Sequence, residues 1–261
     1  MVIAYFFIFL LSCTLGSIIG IGGSLIVRPT LDSIGYHGIA NIAFLTSAAN
    51  ISMAGTSIYK KAKDGTDISF MKIALVGVGS LIGGFIGDRL LRVPAEIYGE
   101  LNMQVVQTTV TIFFLVSAIY FTEKCKLRYE LKNKVLYVVL GIILGAVAVF
   151  LGIGGGPLNV PVFMILFSLP AKQAASYSLA IMILSHSSRL ITMGLTGTAL
   201  GYMEFDLLFL PFILPAAVLG GVIGAKLSKK MTDDNVKRLF SIVMVVIIAI
   251  NVYNLVRFMI Y

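Results

Sequence analysis

Two glycine runs stand at matching places in this chain, Gly20-Ile-Gly-Gly-Ser24 and Gly152-Ile-Gly-Gly-Gly-Pro157. Each interrupts an apolar stretch that would otherwise read as one membrane helix. No water reaches a backbone broken inside hydrocarbon, so its freed N–H and C=O groups must be wrapped in protein or face a wet cavity. That requirement excludes most folds. Both runs are followed by proline at the same offset, Pro29 and Pro161, which points to a duplication. Paired breaks in two halves of an apolar chain also mark a transporter's binding site.

The surroundings of the breaks fit a membrane. Hydrophobic residues make up 58% of the 261 residues and charged ones 12%, about half the fraction in soluble domains. Apolar segments run over 3–19, 39–59, 70–90, 105–121, 135–151, 171–195, 205–227 and 239–260, with further apolar arms at 25–34 and 158–169 after the glycine runs. This predicts an all-α polytopic membrane protein and excludes a membrane β-barrel, whose ten-residue alternation is missing. The first 19 residues lack a basic leader and run into the first glycine motif, so they read as part of the folded protein. Cys13 lies in an apolar segment and Cys125 in a charged loop, a pair that predicts neither a disulfide nor a metal site.

The charged segment 123–134 divides the chain into repeats 1–127 and 128–261. Gly20 aligns with Gly152 at an offset of 132, and Gly83-Gly84-Phe-Ile-Gly87 with Gly220-Gly221-Val-Ile-Gly224 at 137. The difference predicts a five-residue insertion, placed in the loop before the third segment of the second half. Lysine and arginine decide how the halves are oriented. With eight plain spans, ten basic residues fall on one face and nine on the other. If each glycine run is a hairpin tip, Lys60, Lys61, Lys63, Lys72, the five from Lys124 to Lys134, Lys172, Lys226, Lys229, Lys230, Lys237 and Arg238 share one face. Arg89, Arg92 and Arg257 take the other, and Arg28 and Arg189 stay inside. The positive-inside rule selects the second arrangement. Each half is then a glycine-broken hairpin plus three transmembrane helices. The halves are inverted, and both termini lie outside the cell membrane.

The run Gly152-Ile-Gly-Gly-Gly-Pro-Leu-Asn-Val-Pro161, followed by Ala175-Ser-Tyr-Ser-Leu179, resembles the TauE/SafE, or sulfite exporter, family of membrane anion transporters. Gly20-Ile-Gly-Gly-Ser-Leu-Ile-Val-Arg-Pro29 repeats it more weakly, with Ser24 for the third glycine and Arg28 in the arm. The resemblance implies export or uptake of sulfite, thiosulfate or a small organosulfonate, without choosing among them.

The residues themselves also argue for an anion site. A helix restarting after Gly22-Gly23-Ser24 or after Gly154-Gly155-Gly156 aims its positive N-terminal end at the tip. Pro157 suits a first helical position, which needs no amide hydrogen. Arg28, one turn beyond the first tip, either contacts substrate or pairs with Asp32 four residues on. Arg189, in the polar run Ser185-His-Ser-Ser-Arg189, has no acid nearby in sequence; it serves an anion or freed carbonyls. His186 could carry a coupling proton or simply bond a neighbouring helix. Thr46, Ser47, Asn50, Asn159, Ser176 and Ser178 either line the cavity or join helices. The four-residue glycine spacing at Gly79, Gly83 and Gly87, and at Gly220 and Gly224, reads as close helix packing.

These readings predict a secondary transporter working by alternating access on a small sulfur-containing anion. An anion channel of the same architecture is the alternative. Membrane lipid is the surrounding partner, and a homo-oligomer is compatible with the pattern. No nucleic acid, cofactor or catalytic residue is expected, since the chain carries no nucleotide-binding, H-E-x-x-H or G-x-S-x-G motif.

Overall fold

The computed structural model describes residues 2–65, 69–124, 129–131, 133–151, 156–200 and 207–260. These form ten α-helices: α1 (Val2–Ile19), α2 (Ser24–Ile34), α3 (Ile39–Lys63), α4 (Phe70–Tyr98), α5 (Glu100–Glu123), α6 (Lys134–Leu151), α7 (Gly156–Leu166), α8 (Ala171–Leu200), α9 (Leu210–Lys230) and α10 (Asp233–Ile260). A 3-10 turn, Leu207–Phe209, leads into α9. Seven of the described helices are long and apolar enough to cross a membrane: α1, α4, α5, α6, α8, α9 and α10. This is a multi-pass membrane protein. Helix α3 has the length, at 25 residues, but not the apolarity. Thr46, Ser47, Asn50, Ser52, Thr56, Ser57 and three lysines stud it, and most of those side chains turn inward.

The first glycine run breaks its helix; at the second, α6 ends at Leu151 and α7 begins at Gly156, with Gly152, Ile153, Gly154 and Gly155 outside the described residues. An 18-residue helix precedes each, and an 11-residue helix follows. At 1.5 Å per residue the second arm is about 16 Å long, roughly half the hydrocarbon thickness. Gly20 and Gly22 both hold φ of 78°, a left-handed backbone that makes the turn and that a side chain would strain. The five extra residues of the second half go elsewhere than expected. Helix starts at Ile39 and Ala171 keep the offset of 132, and α8 is 30 residues against 25 for α3. The insertion therefore lengthens a helix instead of the loop after it.

The packing follows an exchange pattern. Helix α1 lies against α9, and its counterpart α6 lies against α4; α3 packs on α9 as α8 packs on α4; α5 pairs with α10, and α3 with α8. The glycine stripes make the closest of these contacts. A methyl group at Gly79, Gly83 or Gly87 would overlap backbone of α6, and one at Gly220 or Gly224 would overlap α1. Lipid tails are as apolar as the side chains, so helix association here relies on such close van der Waals contact.

The contacts separate two ends of the molecule. At one end Lys229 pairs with Asp64 at 3.0 Å, Lys172 bonds the Met231 carbonyl and the Asp233 carboxylate, and Lys72 sits 5.5 Å over the Phe167 ring. The backbone amides of Tyr129 and Leu131 bond the last carbonyls of α7 there. At the other end Tyr5, Tyr36, His37 and Phe209 form an aromatic cluster, and Arg257 donates to the Ser33 carbonyl. Tyr5 near the start of α1 meets His37 just past α2 at the aromatic end, and Tyr129 and Leu131, ahead of α6, meet the last turn of α7 at the basic end. Lys126, Arg128 and Lys132 lie outside the described residues.

Gly83→Leu should separate α4 from α6 and destabilise the protein by about 1–3 kcal/mol or more, as overpacking does. Gly55→Ala, in the middle of α3 where added carbon meets nothing within 4 Å, should be neutral or stabilising by about 0.5–1 kcal/mol. Thermal unfolding of the purified variants in detergent measures both.

Candidate functional site

The two breaks meet. A Cβ at Gly156 would overlap the backbone of Gly20 and Ile21, so the second arm starts directly against the first turn. Two helix starts and two helix ends thus converge in the interior, and their open backbone groups find partners on other helices. At the start of α2 the Ser24 N–H donates to Asn50 Oδ1 at 3.2 Å. At the turn, the Gly20 carbonyl accepts from Ser178 Oγ at 2.6 Å. Near the end of α1 the Ser17 carbonyl accepts from the Lys61 ammonium at 2.9 Å.

The Asn50 amide organises a chain of four residues. A backbone N–H can only donate, so the atom facing Ser24 N must be the amide oxygen. Its Nδ2 then donates to Ser24 Oγ at 2.7 Å and to His186 Nε2 at 3.0 Å. His186 Nε2 is therefore an acceptor, and the ring proton sits on Nδ1, facing Ser47 Oγ at 3.0 Å. This network fits only the neutral ring. A proton added at Nε2 would set two donors against each other, so charging His186 must break its bond to Asn50.

Arg28 lies where the first arm crosses the end of α6. Its guanidinium donates to the Leu151 carbonyl at 2.5 Å and to Gln107 Oε1, and its Nε stands 3.9 Å from Asp32. Gln107 Nε2 also donates to the Phe150 carbonyl at 2.5 Å. Arg28 and Gln107 together cap the broken end of α6, where helix carbonyls have no downstream amides. The anticipated Asp32 pair is present, but the closer partners are the Leu151 carbonyl and the Gln107 side chain.

Arg189 is 1% exposed and stands three residues after His186, on the same side of α8. Thr46 is buried and bonds its own helix through the Ile42 and Ala43 carbonyls. Ser176 bonds the Lys172 carbonyl and faces the basic end, away from its near neighbour Ser178. Asn159 is buried on α7, and its Oδ1 has no hydrogen-bond partner among the described residues. Gly22, Gly23 and Gly156 are buried at the junction, whereas Gly154 and Gly155 lie outside the described residues. The structure thus joins Ser24, Ser47, Asn50, Ser178 and His186 about the first turn, with Gly156 against it.

Two participants were missed by sequence reasoning. Gln107 follows Asn102 and Gln104 in the polar first turns of α5, and nothing in that run sets it apart from them. Lys61 read as one of several surface lysines, yet it is 5% exposed, and nothing in its local sequence says so.

Asn50→Ala should strand the Ser24 N–H and His186 Nε2 in the interior and cost about 1–3 kcal/mol, seen as a lower unfolding temperature in detergent. Asn50→Asp cannot donate to His186 and should be no better tolerated.

Comparison with known proteins places these features. The chain is 25% identical to the probable membrane transporter protein YunE of Bacillus subtilis (strain 168), over 91% of this chain and 92% of that protein. It is also 25% identical to the probable membrane transporter protein MJ0441 of Methanocaldococcus jannaschii, over 87% and 86% of the two chains. No solved structure matches it. The sulfite exporter TauE/SafE family model matches residues 5–251, the full run from the first broken helix into the last span, and the chain belongs to that family.

Proposed function

We propose that this membrane transporter is a secondary carrier for a small sulfur-containing anion such as sulfite, thiosulfate or an organosulfonate. The family's description supports the substrate class. The contact between the two glycine breaks is the observation that carries the reading. Helix starts bring partial positive charge to the junction, and a fully buried arginine stands one turn from the His186–Asn50 network.

Arg189 is the proposed charge partner of the anion. An arginine at mid-membrane costs about 2.5–3.5 kcal/mol on insertion scales, and such residues face the bundle interior and mark substrate pathways. No acidic residue exists anywhere in α8. The Ser24, Asn50 and Ser178 groups around the turn supply donors that an entering anion can engage by displacing their present partners. Asn159 supplies the facing polar group from the second arm.

We infer also that the halves are inverted repeats. Their helices swap partners pairwise, and their hairpins open to opposite ends. The fifteen basic residues counted for one face include every lysine found at the basic end, which favours a cytoplasmic basic end in a cell membrane and both termini outside. Two such halves can rock about the junction and expose it to one side at a time.

In proteoliposomes the protein should take up one of sulfite, thiosulfate, sulfoacetate and sulfate in preference to the others, with saturation. Arg189→Ala should abolish that flux while folded protein remains in the membrane. Undiminished transport by Arg189→Ala removes the arginine from the site, and an ohmic current in place of saturation makes the protein a channel. A single cysteine at exposed Lys229 should label only from the cytoplasm and one at Tyr36 only from outside; the reverse pattern overturns the orientation.

A further inference from the structure

Beneath the first glycine turn, at the basic end, lies a cavity of about 170 Å³ whose walls include Lys61, Asp64, Lys172, Ser176, Ser228 and Lys229. That is room for a small hydrated oxyanion. The charges around it do not balance. Asp64 is the only carboxylate in the wall among the described residues. The hydrogen-bonded Lys229 ammonium, and after it Lys60, hold its carboxyl below the usual carboxylate value, so it is ionised and already paired. Nearby Asp233 accepts the Lys172 backbone N–H. The ammonium groups of Lys61 and Lys172 are left facing carbonyls: Ser17 for the first, Met231 and Lys229 for the second. An ammonium has three protons, and among the described residues neither lysine has a carboxylate within ion-pair distance. Two lysines without a carboxylate partner among the described residues thus share one polar cavity. Lys61 is 5% exposed, and its burial and then Lys172 push its pKa down to about 7, so an anion here would favour its charged form.

We propose that this cavity is a second anion site, holding a small oxyanion between Lys61 and Lys172 with the Ser176 and Ser228 hydroxyls as further donors. It lies below the glycine junction and is separate from it. Both of its walls lead there. Ser178, two residues on from Ser176, bonds the Gly20 carbonyl, and Lys61 bonds Ser17 three residues before Gly20. An anion in the cavity competes with the Ser17 carbonyl for the Lys61 ammonium and so acts on the end of α1 where the break begins. Its service as an antechamber to the junction rests on the transport reading above; its binding of an anion does not.

The test uses Ser228→Cys in the full chain, with Cys13→Ser and Cys125→Ser, reconstituted in permeabilised phosphatidylcholine vesicles. An anionic methanethiosulfonate should modify the cysteine about tenfold faster than a cationic one of similar size, because positive walls concentrate anions. Sulfate should slow that reaction in a saturable manner. Adding Lys172→Gln should abolish both the preference and the protection, and Lys61→Gln should do the same. Should Lys61→Gln fail to fold, Lys172→Gln decides alone. Equal rates for the two reagents, or no protection by sulfate, overturn the proposal. So does protection seen only with phosphatidylglycerol vesicles, which would make a lipid headgroup the occupant. The measurement needs no transport. Arg189→Ala that stops flux but keeps sulfate protection leaves the cavity standing, and lost protection with intact flux sinks the cavity alone.

Discussion

Everything in this molecule depends on satisfying the backbone where two helices are broken inside an apolar interior. An unpaired buried N–H or C=O costs about 1–3 kcal/mol, so the helix ends that flank the glycine runs need partners. Asn50 on α3 takes the amide of Ser24, and Ser178 on α8 takes the Gly20 carbonyl. Lys61 takes Ser17, and Arg28 and Gln107 take Leu151 and Phe150. Each partner comes from a different element than the group it serves, so the breaks fasten the helices around them. The apolar contacts supply close packing, but these polar bonds choose which helices meet.

The same arrangement gives the junction its chemistry. Groups that satisfy a broken helix are donors and acceptors held at modest strength in a water-poor place, and these are what the proposed anion would compete for. Arg28 and Arg189 divide the work differently. The first is bound to the carbonyl end of α6 and neutralises its partial negative charge. The second belongs to a helix without acids and stands beside the His186–Asn50 pair. His186 Nε2 accepts from Asn50 Nδ2, so a proton placed there must first disturb the amide that holds the start of α2.

Much of the architecture could be read from residue order. The first glycine run announced the turn after α1, and the four-residue glycine stripes announced close helix contacts, because few backbones other than glycine turn or approach so tightly. Helix α3 was legible as an apolar stretch, although its polar face lowers its hydropathy. The five-residue insertion was legible in size but not in place, since a helix and a loop absorb extra residues equally well on paper.

The sequence by itself determined a polytopic helical membrane protein, its two breaks and the set of polar residues near them. Those follow from local rules: hydropathy, glycine freedom, and the spacing of side chains along a helix. Only the tertiary structure decided which of those residues touch. Asn50, His186 and Ser47 span two helices separated by more than a hundred residues, Gln107 reaches α6 from α5, and Lys61 folds inward instead of out. Such pairings arise from the rotation and depth of each helix against its neighbours, quantities set by the whole packing and written in no single segment.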